Sequence, residues 1–355
     1  MRVVVTGATG NVGSAVLRAL AAEDAVDEVV GVARRAPDGP APAKVRWEAG
    51  DVLDHDLAAT FRGAAAVIHL AWLIQPSRDR EATRAVNVDG TARVLDAVAA
   101  AGVPTVVHAS SLAAYGPAAH PGDDRRADET HPTTGISTSF YSRDKVAAER
   151  LLDAFERDHP TVRAVRLRPA LIFQRSAAEE IRRYFLGPFW PSALVRPGRL
   201  PIAPVPRSIR FQVVHADDVA DAYRRAVVDP TMRGAYNVAA EPAITPRRFA
   251  RVLGGLPLPV PTPALRLAAA LTWRSRVQPT PAGWVDLAAQ SPLMDTARLR
   301  ATGWTPRHDG PAVLLELLAG LRDGAGGATP PLAADAGGPL RLREVRTGVG
   351  GSNAA

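Results

Sequence analysis

An α/β fold built on a doubly wound parallel sheet is what this sequence predicts, and three observations predict it. Short β-branched runs alternate with longer helix-periodic stretches up to about residue 170. Two of the runs, Ala66-Val67-Ile68-His69-Leu70 and Thr105-Val106-Val107-His108-Ala109, are almost continuously apolar, as strands covered on both faces must be. The chain also opens with Arg2-Val3-Val4-Val5, which runs into a glycine-rich turn and then into the helical spacing of Val16, Leu17 and Leu20.

Taken in order, the first strand covers 2–6 and delivers Thr6-Gly7-Ala8-Thr9-Gly10-Asn11-Val12-Gly13. Gly7 permits a tight turn, Gly10 lets backbone approach a pyrophosphate, and Gly13 allows close helix packing. The helix N-terminus at Asn11 and Val12 offers N–H donors to an anion, so a bound dinucleotide is expected. Further strands are predicted near 28–33, 45–48, 66–70, 105–109 and 162–167, with helices between. Ligands in such sheets bind beyond the carboxyl ends of the strands, which places Ala71, Ser110 and Ser111 where chemistry can occur.

Beyond residue 170 the character changes. Prolines recur at 188, 191, 197, 201, 204 and 206, and again at 257, 259, 261 and 263. Helical patterns near 217–228, 245–254, 263–273 and 310–322 then describe a smaller C-terminal lobe suited to substrate selection. The division is therefore a dinucleotide-binding domain over 1–170, to which a strand near 212–215 and the helix at 217–228 return, and a substrate-binding lobe over 171–322. The tail, 323–355, is rich in Gly, Ala and Pro and is expected to be disordered.

Composition excludes several functions. With no cysteine among 355 residues, disulfides, thiolate catalysis and cysteine-ligated metal are absent, and any redox role needs a bound cofactor. No metal site is predicted. A net charge of +7, with 43 basic and 36 acidic residues interspersed, suits an anionic cofactor and does not point to nucleic acid. No window approaches the roughly 18 apolar residues of a membrane span, and no signal peptide is expected, because the first apolar run stops at Thr6. A cytoplasmic protein with no membrane partner is expected.

A second constellation joins the strand-end serines to Tyr141-Ser142-Arg143-Asp144-Lys145, where Tyr and Lys lie four apart on one helix face. An ammonium beside a phenol, together with the positive cofactor ring, favours phenolate, so Tyr141 is expected to have a lowered pKa and to exchange a proton with a substrate oxygen held by a serine hydroxyl. The end of the second strand, Val29-Val30-Gly31-Val32-Ala33-Arg34-Arg35, carries Ala33 where an acidic residue would bind a ribose 2′-hydroxyl. Arg34 and Arg35 follow, which favours NADP over NAD.

The glycine turn, Gly50-Asp51-Val52, His69-Leu70-Ala71, Asn87-Val88-Asp89-Gly90-Thr91, Ser110 to Gly116, Tyr141 to Lys145, Arg168-Pro169 and Val214 to Ala220 occur in this order. With them the sequence resembles the extended short-chain dehydrogenase/reductase family, also called the NAD-dependent epimerase/dehydratase family, over most of residues 1–240. The resemblance implies a Rossmann-type sheet, Ser111 as the catalytic serine, Tyr141 as acid/base and Lys145 gripping the nicotinamide ribose. It also implies Asp51 and Val52 at adenine, Leu70, Ala71 and Pro169 along the cofactor, and Asn87 beside the nicotinamide. Members often dimerise through helices equivalent to 80–101 and 141–157.

Several residues carry plainer readings. His69 reads as a satisfied core histidine, and Asp218 as the cap of the helix that follows His215. Trp72 and Phe173 are candidates for the substrate wall, and Ile181, Tyr184, Phe185, Leu186, Phe189 and Trp190 for an apolar pocket or a dimer contact. Nucleotide-sugar members of the family carry an arginine seven residues before the position of Asp218; here Phe211 stands there and Arg210 falls one residue early. The expected activity is hydride transfer between NADP, or alternatively NAD, and the carbonyl or secondary alcohol of a small, fairly apolar molecule. The alternatives are a nucleotide-sugar epimerase or dehydratase and a non-catalytic dinucleotide-binding sensor.

Overall fold

The structure, a computed structural model, describes residues 1–119, 122, 124–186 and 202–336. Phe189, Trp190 and the tail beyond 336 lie outside the described residues. Seven strands form one all-parallel sheet: β1 (Arg2–Thr6), β2 (Glu28–Ala33), β3 (Val45–Ala49), β4 (Ala66–His69), β5 (Thr105–Ala109), β6 (Arg163–Pro169) and β7 (Gly234–Val238). Their order is β3-β2-β1-β4-β5-β6-β7, the topology of a doubly wound sheet with its first crossover reversal beside β1. The helices used below are α1 (Asn11–Ala21), α2 (Gly90–Ala100), α3 (Phe140–Asp158), α4 (Ala216–Val228), α5 (Pro246–Leu253), α6 (Thr262–Arg274), α7 (Ala282–Gln290) and α8 (Gly310–Asp323).

Pleating divides the core. Val3 and Val5 of β1 pack with Val16, Leu17 and Leu20 of α1 and Val219 and Tyr223 of α4 on one face. Val4 turns to the other face and joins Val94 and Leu95 of α2 and Leu152 of α3. Both faces being covered explains why β4 and β5 read as continuous apolar runs. Paired registers bring Thr6 opposite Val32 and His69, His69 opposite His108, and Ala109 opposite Leu167. The carboxyl ends of these strands therefore finish together, and the loops leaving them share one edge.

Four expectations change. β7 extends the sheet where no strand was predicted; its sequence Gly234-Ala235-Tyr236-Asn237-Val238 is short and carries weak strand formers. Val213–His215 pairs with Leu171–Phe173 in a separate two-stranded ladder and does not join the main sheet, although α4, which follows it, packs on α1. His215, not Asp218, caps α4: its Nδ1 accepts from the Asp217 N–H at 3.1 Å. Asp218 is buried and instead accepts from the backbone of Arg307 and His308, tying the approach to α8.

The last change concerns the start of the tail. Residues 324–336 fold back against the body: Leu332 is buried, the Glu179 N–H donates to the Ala325 carbonyl, and Thr329 Oγ1 donates to the Thr9 carbonyl at 2.7 Å. Polar and glycine-rich composition hid these contacts, which are made by single side chains and backbone.

The second lobe is held by a core of its own, in which Val213 and Ile244 meet Val313, Leu314 and Leu317 of α8. Among the described residues no helix is long and apolar enough to cross a membrane, and no group of three His, Cys, Asp or Glu could hold a metal ion.

Candidate active site

The glycine turn is shaped by close approach. Gly7 has φ +70°, and a Cβ there would lie 2.5 Å from the Ala71 nitrogen; at Gly13 a Cβ would lie 2.4 Å from the Gly7 carbonyl oxygen. Gly10 differs, because a Cβ would meet only the Gly7 oxygen at 3.5 Å and otherwise open space. Gly10 is also the N-cap of α1 and provides no side-chain cap, so the first-turn N–H groups at Asn11, Val12 and Gly13 face that space. The donor set and the cradle fit a pyrophosphate.

From this turn a cavity of about 530 Å³ runs over the ends of β5 and β6 into the second lobe, a size that suits a small molecule. Gly7, Asn11, Leu70, Pro169 and Phe173 line its cofactor side, and Ser111, Tyr141, Lys145 and Trp72 its middle. The three residues predicted to act together therefore share one wall.

Local chemistry explains how they meet. Ser110 and Ser111 leave β5 in opposite directions. The Ser110 hydroxyl donates to Glu149, which also pairs with two of the three arginines of β6: Arg168 Nε at 2.8 Å, Arg168 Nη2 at 3.0 Å and Arg166 Nη1 at 2.8 Å. Arg168 also donates to the Tyr115 hydroxyl, which donates to Asn237 of β7. This buried network anchors the strand end and engages the Ser110 hydroxyl, while Ser111, which lines the cavity beside it, bonds Tyr141. Ser142 Oγ accepts from the Ile136 N–H and donates to the Ala113 carbonyl, both at 2.6 Å, and so locks the first turn of α3 beside Ser111.

The electrostatics differ from expectation. Burial pushes the Tyr141 phenol up to about 12, against a hydrogen bond with Ser111 that pulls it down. The protein's own groups therefore favour the phenol, whereas the expected phenolate counts on a cofactor's positive ring as well; the Tyr141 ring stacks on Trp284 at 5.1 Å. Lys145 does not bond the phenol. Its Nζ donates to the Ala109 carbonyl at 2.7 Å and lies 3.2 Å from the centre of the Trp72 ring. Burial pulls its ammonium well below the ordinary value, with Glu149 and Asp144 working the other way.

Asn87 is also relocated. It is fully buried and outside the cavity, where Oδ1 accepts from the Leu73 N–H at 2.7 Å and Nδ2 donates to the Leu73 carbonyl at 3.1 Å. It therefore positions the loop that carries Trp72. Asp51, Val52, Arg34, Arg35 and Ala71 do not line this cavity either. Arg34 and Arg35 are exposed just after β2, and Asp51 follows β3, whose Ala49 pairs with Ala33, so these residues leave the sheet at one edge. Ala71 abuts Gly7 as described. His69 is bonded between Thr6 Oγ1 at 2.8 Å and Thr91 Oγ1 at 3.0 Å, a core histidine that burial pulls down to about 3.

The substrate end is apolar. Ile181, Tyr184 and Phe185 face the cavity, with Trp284 and Leu287 from α7. Phe211, at the position of the nucleotide-sugar arginine, packs edge-on to Phe249, and Arg210 turns to the Gly122 carbonyl and to Asp124 at 3.4 Å. Trp284 and Glu180 were not singled out in the sequence. Trp284 comes from a helix 143 residues away from Tyr141 and no local signal marks it, whereas Glu180 adjoins the aromatic patch that did stand out. Glu180 is the one carboxylate among the described lining residues, and burial raises it to about 7.

Comparison with known proteins agrees with this architecture. A protein of Mycobacterium tuberculosis carrying the name "Uncharacterized protein" is 30% identical over 303 residues, covering 84% of this chain and 27% of the relative. The chain thus spans about a quarter of that relative's length. A putative dihydroflavonol 4-reductase of Synechocystis sp. is 34% identical over 132 residues, covering 36% of each. The solved UDP-glucose 4-epimerase of Thermus thermophilus, in complex with NAD, superposes with a TM-score of 0.65 at 22% identity over 91% of this chain and 99% of that one, a likeness of fold. The profile of the NAD dependent epimerase/dehydratase family matches residues 3–239, and the chain belongs to that family.

Proposed function

We propose that the protein is an NAD(P)-dependent oxidoreductase that reduces or oxidises a carbonyl or secondary alcohol of a small, fairly apolar molecule. The observation that carries this reading is the single cavity in which Ser111 and Tyr141 face an apolar compartment closed by Trp284, Phe211 and Phe249. A nicotinamide, when bound, supplies the hydride chemistry. The Ser111 hydroxyl can hold a carbonyl oxygen, and the Tyr141 O–H can donate a proton to that oxygen as it gains charge. A phenol held at about 12 stays protonated at neutral pH, which suits it to the reducing direction. Trp72 and Phe173 wall the reacting end. Exposed Arg34 and Arg35 support NADP as the dinucleotide, with NAD as the alternative.

The second reading is a nucleotide-sugar epimerase or dehydratase, and the solved relatives favour it over the first: the Thermus thermophilus protein is a UDP-glucose 4-epimerase with NAD. Against it stands Phe211 in place of the arginine, while Arg210, which lines the cavity, is engaged by the Gly122 carbonyl and Asp124. The deciding experiment presents purified protein with NADPH and a panel of apolar ketones, and separately with UDP- and dTDP-sugars. Oxidation of NADPH by a ketone, reduced by about 100-fold or more in Tyr141→Phe while NADPH affinity stays within about twofold, supports the first reading. Sugar turnover without net NADPH oxidation establishes the second.

A further inference from the structure

Apolar surface on this molecule is concentrated in one place. Of the seven large hydrophobic side chains exposed among the described residues, five fall between 256 and 277: Leu256 (74% exposed), Leu258, Leu267 (60%), Leu271 (56%) and Val277. Leu267 and Leu271 are one turn apart on α6, a helix with no buried residue at all. The strand before it, Leu256–Val260, pairs with Ile202–Pro206, whose Val205 lines the substrate cavity. The helix after it, α7, carries Trp284 and Leu287 into the same cavity.

The charge of this segment is equally one-sided. From Pro242 to Val285 the sequence contains six arginines and no Asp or Glu, although acids number 36 in the whole chain of 355. Arg247, Arg251 and Arg274 are exposed. Arg266 is paired with Asp286 at 3.0 Å, just beyond the segment.

We infer that the outer face of α6, together with Leu256, Leu258 and their flanking arginines, docks on the surface of an anionic phospholipid bilayer. Exposed leucines bounded by arginines are the pattern of an interfacial element, in which acyl chains take the leucines and anionic headgroups the guanidinium groups. A second copy of the chain fits worse, because a two-fold contact through this face would set arginine against arginine. The opening expectation of no membrane partner rested on the lack of a spanning segment, which a surface contact does not require. The inference stands apart from the proposed reaction.

The test is sedimentation of the full chain with vesicles of phosphatidylcholine alone or with about 30% phosphatidylserine. Binding to the anionic vesicles, weakened by about tenfold or more in neutral vesicles or in about 0.5 M salt, is the expected result. Leu267→Glu combined with Leu271→Glu should remove binding, with melting temperature and dinucleotide affinity unchanged because both residues are exposed. Arg247→Glu with Arg251→Glu should weaken it without touching the leucines. Failure to bind either vesicle overturns the inference, as does equal binding by wild type and both variants. So does a wild-type dimer that the leucine variant converts to monomer, which would make this face a contact between copies.

Discussion

The Lys145 ammonium lies 3.2 Å from the centre of the Trp72 ring and is held from its other side by the Ala109 carbonyl at 2.7 Å. Trp72 is in turn set by Asn87, which clamps the neighbouring Leu73 through both its backbone polar groups. Burial lowers the Lys145 ammonium, Glu149 and Asp144 work the other way, and the indole face adds a cation–π contact that favours the charged form.

Replacing Trp72 by Leu should therefore cost the charged form of Lys145 about 1–2 kcal/mol, the size of a desolvated cation–π contact. Lys145 should then deprotonate about one pH unit lower than in wild type. The measurement is NADPH affinity against pH by fluorescence titration. The midpoint of its high-pH loss should move down by about one unit in Trp72→Leu, and coincident curves would detach Trp72 from Lys145.

The proposed NADP preference rests on the end of β2. Arg34 and Arg35 are exposed, and among the described residues neither has an ion-pair partner to compete with a phosphate. Changing both to Ala should weaken NADP binding by about 10- to 100-fold, the loss of one or two charge-assisted hydrogen bonds, and leave NAD within about threefold. Ala33→Asp should reverse the preference by accepting from a ribose 2′-hydroxyl. Calorimetric titration of both dinucleotides decides it: equal losses for the two would show that these arginines do not read the 2′-phosphate.

Stability should depend on the Glu149 network. Burial alone would raise this carboxyl, but the hydrogen-bonded Arg168, then Arg166 and the Ser110 hydroxyl, hold it at about 2, well under its usual range. A carboxyl depressed on folding stabilises the protein fully above its unfolded value near 4.5, and that contribution, roughly 3 kcal/mol, fades as pH falls through about 2. Glu149→Gln leaves two buried guanidinium groups short of a charge partner, although Asp153 and Glu156 still reach Arg166, and should cost about 3–5 kcal/mol at pH 6. Urea midpoints for the two proteins should draw together between pH 4.5 and 2; a constant gap would mean that Glu149 acts by packing, not charge.

What the sequence could disclose depended on how local each constraint is. The glycine turn, the Tyr141–Lys145 spacing and the apolar runs of β4 and β5 are each set within a few residues by backbone geometry, and the structure keeps all of them. Residues whose part is set by distant partners were less legible. Asn87 matched a motif, but the motif does not encode the partners the fold gives it, the backbone of Leu73 and the Asp144 carboxylate. Asp218 sits one helical turn too late to cap, and its partners lie near residue 308. Burial raises the Tyr141 phenol where the spacing to Lys145 suggested a lowered one, and Trp284, on which its ring stacks, comes from 143 residues away, a contact no spacing rule encodes.

Glu180 gives the substrate compartment a pH dependence of its own. Burial raises its carboxyl to about 7, against a hydrogen bond from Tyr184 and the charge of Arg183 that pull it down. Below that value the compartment holds a neutral acid, and above it a carboxylate that an apolar ligand would have to strip of solvent. The KM for a neutral ketone should accordingly rise by about threefold to tenfold between pH 6.5 and 8.5. Glu180→Gln, neutral throughout, should keep the low-pH KM across that range, with kcat little changed because the side chain is absent from the Ser111–Tyr141–Lys145 group. Anionic substrates should be hindered more steeply by the ionised form, so the same variant should relax discrimination against them. Michaelis constants measured at five or six pH values for both proteins test the assignment, and parallel profiles would place Glu180 outside the path of the substrate.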